Sequence, residues 1–321
     1  MSRVPARGTF VALAVASAVL SSGCDKVKAA ARGGKRATTW VDPWERDSTF
    51  MANSPAVLYR VYPHEKGTAV APFATLGKGF HRLNMTDRGW RAFDLNYLQE
   101  GHTLDAVHDG RADGTVRLSR GMWTVAGRMD SIPRGNCLVP AGLGQAPAGV
   151  NFAVSGFSPK LNPVKPLSEA ELAAAISKVP NLVAPLHGIP SSMLGRYKRE
   201  VHVMNTGVSA RPSILIRYND PEVVPDSIEA ATERPRQLIL ILDEGTYGYR
   251  PSFVYRTVGN KSDPYPRWSY VDYLDVDGDG KAEILFVEDR RQLGLSFEMV
   301  HAIRSEGDGW REFFGAAVRC A

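Results

Sequence analysis

The 321-residue sequence has only three cysteines, no apolar run long enough to span a bilayer, and none of the short motifs that mark common enzyme classes. Each absence excludes something. The longest uncharged apolar run near the start, Thr9 to Leu20, has 12 residues. As a helix it covers about 18 Å, against roughly 20 residues for a hydrocarbon core of about 30 Å, so it is too short for a permanent span. His64-Glu65 lacks the second histidine of a zincin, because position 68 is threonine. Gly142, Gly144 and Gly149 fail the dinucleotide fingerprint at Pro147, and neither G-x-S-x-G nor a phosphate-cradling G-x-x-x-x-G-K occurs.

What is present describes an ordinary folded chain. Hydrophobic residues make up 44% and charged residues 23%, which excludes a mainly disordered chain. The length suggests about two domains. Glycine (30) and proline (21) are abundant enough to favour many turns and short strands over long helices. The formal charge is +5, but five basic residues (Lys26, Lys28, Arg32, Lys35, Arg36) crowd into the stretch 25–39, beside Gly33-Gly34. That stretch reads as a flexible tether. No basic and aromatic stripe follows it, which argues against nucleic acid as a partner.

Residues 1–23 have the layout of an export signal: Arg3 and Arg7, the apolar run, then Ser21-Ser22-Gly23 before Cys24. Small residues directly before a cysteine resemble the lipobox of bacterial lipoproteins, although Ser21 stands where leucine is usual. The resemblance implies cleavage before Cys24 and lipidation of it, leaving an exported protein anchored in a membrane and facing periplasm or cell surface. Ordinary secretion with an unmodified Cys24 is the alternative. With Cys24 assigned to lipid, Cys137 and Cys320 remain as a pair, and in an oxidising compartment a disulfide is their simplest use. A nucleophilic Cys137 is the competing reading and needs a histidine nearby in space.

The rest of the chain divides into an N-terminal β-rich lobe (40–158), a proline-rich connector (159–195) and a C-terminal β lobe (196–321). Short strand-like runs in the first lobe are 56–62, 90–97 and 115–119. In the connector, Ser168 and Glu171 form a capping box for a helix with an apolar stripe at Leu172, Ile176 and Val179, which Pro180 is expected to stop. Six stronger strand runs follow, at 213–218, 237–242, 252–258, 270–274, 282–287 and 297–303. The fold class expected is mainly β, either an antiparallel sandwich or a partial propeller. Gly89-Trp90-Arg91-Ala92-Phe93 and Gly309-Trp310-Arg311-Glu312-Phe313 agree at four of five positions, a hint of duplication.

One segment carries recognisable chemistry. Asp275, Asp277, Asp279 and Glu283 occupy positions 1, 3, 5 and 9 of a loop, Gly280 sits at position 6, and Lys281 can offer its carbonyl at position 7. Hard oxygen ligands on a sharply turning loop suit Ca2+. An EF-hand is disfavoured because position 12 is Phe286 and both flanks read as strands. The segment, about 270–288, resembles the calcium loops of FG-GAP-type repeats, known from integrin-like propellers and many exported bacterial proteins. The alternative is a polar hairpin turn, since Asp and Gly are also turn residues. His102, Asp105, His108 and Asp109 form a second polar group, read as a solvated loop. The expected role is non-catalytic, binding an envelope protein or glycan or bracing the envelope. The competing role is hydrolysis of an envelope polymer at a site assembled only in the fold, around His102, Asp105 and His108.

Overall fold

A computed structural model describes residues 56–77, 79–83, 87–121, 141–156, 161, 163–220, 234–259, 267–292 and 295–320. The protein is mainly β and every strand pair is antiparallel. The first part contains β1 (Ala56–His64), β2 (Gly67–Gly77), β3 (Gly79–Arg82), α1 (Asp87–Tyr97), β4 (Thr103–His108), β5 (Arg111–Arg120), β6 (Gly142–Gln145) and β7 (Phe152–Ser155). These strands follow the order β1-β7-β4-β5-β6-β2-β3, and β1 also pairs with β2. Six strands therefore close into a ring, which removes most of the edges that an open sheet would expose. Alternation assigns the two surfaces of the ring. Val57, Tyr59 and Val61 join Val70, Leu104, Ala106, Val116, Leu118 and Ala153 in the interior, which Phe93 and Leu98 cap. Leu58, Phe73, Val107, Phe152 and Val154 point outward into a different cluster.

After residues 159–195 come two consecutive four-stranded meanders. One is β8 (Lys198–Met204), β9 (Ser213–Asn219), β10 (Arg234–Gly245) and β11 (Gly248–Gly259); the other is β12 (Arg267–Leu274), β13 (Glu283–Gln292), β14 (Leu295–Glu306) and β15 (Gly309–Cys320). The second meander is buried on both faces. Its Ile284, Phe286 and Ile303 pack with Leu215, Ile239 and Ile241 of the first meander. Its Leu285, Val300, Ala302 and Phe314 pack with the outward residues of the barrel. This explains why Ile284-Leu285-Phe286 is an unbroken apolar run: a strand covered on both sides has no polar face to show. The far face of the first meander is covered by α2 (Glu169–Val183), through Ala175, Val179 and Val183 against Ile214, Ile216, Leu238 and Leu240.

The capping box at the start of α2 is present. The Glu171 N–H donates to Ser168 Oγ at 3.3 Å, and the Ser168 N–H donates to Glu171 Oε2 at 2.8 Å. Pro180, however, lies inside the helix and does not stop it. Continuation buries Val183 and Ala184 on the sheet, which outweighs the one hydrogen bond that proline cannot donate. A second correction concerns 90–97, expected as a strand and found in α1. Trp90, Phe93 and Tyr97 recur at helical spacing, with Phe93 fully buried and stacked on Tyr97 at 4.7 Å. The Gly-Trp-Arg echo falls with it: Trp90 is helical, whereas Trp310 is on a strand.

Candidate metal-binding loop

The segment 275–282 is the hairpin connection between β12 and β13, and its carboxylates fold it. Asp275 accepts from the Gly278 N–H at 2.7 Å and, through its other oxygen, from the Gly280 N–H at 2.9 Å. Asp277 accepts from the Asp279 N–H at 3.1 Å, and Asp279 from the Lys281 N–H at 2.7 Å. Gly278 (φ 79°) and Gly280 (φ 85°) supply left-handed turns that a side chain would strain. Glu283 reaches back from the first residue of β13 to accept from the Val276 N–H at 2.9 Å.

The outcome is a converging acidic group. One carboxylate oxygen from each of Asp275, Asp277 and Glu283 lies within 4.8 Å of the others. Asp275 and Glu283 are buried, each 3% exposed, and Asp277 faces solvent. Asp279 and Lys281 are exposed and stand outside the group. Burial, with Asp277 and Asp275 adding repulsion, pushes the Glu283 carboxyl up to about 8 against the pull of the Val276 N–H. Burial raises Asp275 as well, and Asp279 and Asp277 add to it. Hard, mostly buried oxygen donors with no basic side chain among them suit a divalent cation.

The loop is also held from outside. The Ala282 N–H donates to the Thr206 carbonyl at 2.8 Å, just after β8. Beside it Gly207 adopts φ 69°, and a Cβ there would collide with the Gly280 carbonyl oxygen. Gly207→Ala is therefore expected to cost at least about 1–2 kcal/mol, from left-handed backbone plus backbone overlap. Urea unfolding checks this, and an unchanged midpoint would show that the loop does not rest on Gly207.

His102, Asp105 and His108 do not converge. Asp105 and His108 lie on β4, and the exposed His108 imidazole stands 3.4 Å from the adjacent Asp109. The segment expected as a solvated loop is thus a strand with an exposed end. Among the described residues, Asp275, Asp277 and Glu283 are the one such group with metal-ligand spacing. Cys24 and Cys137 lie outside the described residues, as does the side chain of Cys320.

Two buried polar clusters between the meanders carried no sequence signal. Asp243 accepts from Ser252 Oγ at 2.6 Å, from Trp310 Nε1 at 2.7 Å and from Ser213 Oγ. His301 sits between Glu288 (2.7 Å) and Glu312 (2.6 Å), stacked on Trp268, whose other neighbour is Tyr255. Burial opposes a charged His301, but the two carboxylates outweigh it and hold its pKa above the ordinary histidine value. Pairing across β13, β14 and β15 assembles the second cluster, so no local motif could announce it. Trp268 and Trp310 are both committed to this interior, 3% and 5% exposed. Comparison with protein-family models, curated proteins and solved structures finds no match to this chain.

Proposed function

We propose that this chain is an exported lipoprotein, anchored through Cys24, whose second meander is braced by Ca2+ at Asp275, Asp277 and Glu283 and whose role is binding or structural. The convergence of those three carboxylates carries the reading. Two of them are buried without a cationic side chain, an arrangement that favours a bound divalent ion over an empty turn. Its place favours bracing over catalysis. The ion would join the end of β12 to the start of β13 and fix a loop that rests on Thr206 and Gly207, beneath which the two meanders pack. The FG-GAP-like pattern also implies Asp279 and the Lys281 carbonyl as ligands, and these two would have to turn in from outside the converging group. A Cys137–Cys320 disulfide would tie residues across the connector.

Calorimetric titration of the purified protein with CaCl2 tests the metal. One saturable site is expected, with Kd near the ~10⁻⁴ to 10⁻³ M of extracellular modules, and Asp277→Ala should abolish it. Absence of binding at millimolar Ca2+ overturns the brace. The anchor is tested separately: Cys24→Ala should move the protein out of the membrane fraction or block its processing. Normal processing with unchanged membrane partition removes the lipoprotein reading.

A further inference from the structure

A cavity of about 410 Å³ lies between α2, the 3-10 turn Ser191–Arg196 and the first meander, on the side away from the metal loop's partner sheet. Its lining includes Ile176, Ser177, Pro180 and Asn181 of α2, Leu194, Tyr197 just before β8, and the strand residues Arg199 and Tyr218. The volume falls in the range of small-molecule sites. Three features of the wall are unusual for an accidental gap.

The first is a guanidinium on the apolar side of a sheet. Arg199 lies on β8 two residues from Tyr197 and Val201, which pack into the cluster beneath α2, so alternation places its side chain on that same face. Its cross-strand partner is Tyr218, only 3% exposed, and the Tyr218 hydroxyl bonds to Arg199. The second is that, among the described residues, no acid pairs with this charge. The nearest in sequence, Glu200, points to the opposite face and is taken by Lys198 and Arg217. The third is the interior proline. Pro180 has no N–H for the Ile176 carbonyl four residues earlier, so the helix gives up one hydrogen bond at the cavity wall. Burial keeps the Tyr218 phenol neutral and able to hydrogen bond at all ordinary pH values, since its pKa is raised.

The geometry points to a binding site for a small amphipathic carboxylate, whose acid group pairs with Arg199 and Tyr218 at the mouth and whose apolar body lies against Ile176, Pro180 and Leu194. A guanidinium with a neighbouring hydroxyl is a charge-assisted donor site for a carboxylate, which accepts from both. Ile176, Pro180 and Leu194, with Ser177 and Asn181 as the polar part of the lining and one cation, suit an anion with a hydrocarbon or aromatic body better than a free inorganic ion. A rival use of Arg199 exists, because β8 is an edge strand and inward-pointing charges deter edge-to-edge pairing.

The test uses the mature-length protein with octanoate as probe, followed by competition against a fluorescent apolar anion, 1-anilinonaphthalene-8-sulfonate, and by calorimetry. Octanoate is expected to bind saturably at one site and octanamide at least tenfold more weakly. Arg199→Gln should weaken octanoate about tenfold to a hundredfold, the loss expected for one charge-assisted hydrogen bond, while leaving octanamide unchanged. Arg199 is exposed, so this variant should fold, and its melting curve verifies that. Ile176→Trp should fill the cavity and remove both ligands. Equal octanoate affinity in wild type and Arg199→Gln overturns the site. So does absence of saturable binding in wild type, and concentration-dependent self-association of Arg199→Gln without any ligand effect would assign Arg199 to edge protection instead.

Discussion

In EDTA, raising the pH from 5 to 8 will lower the melting temperature of this protein by on the order of 10 °C, and millimolar Ca2+ will recover much of that loss at pH 8 and little at pH 5. The cause is Glu283. Its carboxyl has a pKa of about 8 in the folded protein against 4.5 in a free chain. Above about pH 4.5 the unfolded chain releases this proton while the folded protein keeps it, so the unfolded state binds fewer protons and stability falls as pH rises. The fall continues until the folded group itself ionises, near pH 8. At 1.36 kcal/mol per unit, the window from pH 5 to 8 spans about 3–4 kcal/mol, and at roughly 2–4 °C per kcal/mol for a large domain this gives the stated shift.

Asp275 in the same loop pushes the same way, and outside the loop Asp272 and His301 do so and must be separated. Asp272, buried and bonded by the Gly110 and Tyr273 N–H groups, is raised to about 6, so its share is complete near that pH. His301 is stabilising while charged, and that share is lost as pH rises through its raised pKa. Ca2+ acts on neither directly. The share that Ca2+ restores is therefore the loop's, and Glu283→Gln should remove both that share and the Ca2+ dependence while making the EDTA protein more stable at pH 8. A wild-type melting temperature that is equal at pH 5 and 8 in EDTA would mean that no strained carboxylate exists there.

How far the sequence revealed this fold depended on whether the signal was local. Strands of the two meanders were legible because burial on both faces forces runs such as Ile239-Leu240-Ile241 and Ile284-Leu285-Phe286. The capping box of α2 was legible because Ser168 and Glu171 act on each other across three residues. The barrel was not. Its closure rests on β1 meeting both β2 and β7, and nothing near Ala56 announces a partner at Ser155. β15 was missed because Arg311, Glu312 and Arg319 interrupt its apolar residues, and α1 was misread because one turn of aromatics imitates alternation. The acidic loop was legible as a donor pattern, but not the burial of Glu283, because burial depends on what the fold places around the hairpin and not on local spacing.

The contact between the barrel and the second meander should be the costliest to break at one position. Arg60 on β1 points outward from the barrel, and its Nε donates to Glu298 Oε1 on β14 at 2.7 Å. Its Nη1 also donates to the carbonyls of Val61 at 2.6 Å and Asn151 at 3.0 Å, and the guanidinium lies over Phe152 at 5.6 Å. Both side chains are about nine-tenths buried. An ion pair in such a place contributes little net stability, because desolvation offsets the attraction, but removing one partner strands the other. Arg60→Met should therefore cost about 3–5 kcal/mol, seen as a lower urea midpoint with an unchanged slope. The double variant Arg60→Met with Glu298→Met should recover most of that loss, since no buried charge is left and the apolar cluster of Leu58, Phe152 and Val300 can accept both side chains. Additive losses in the double variant would show that the pair is not coupled, and that the barrel is held to the meander by apolar packing alone.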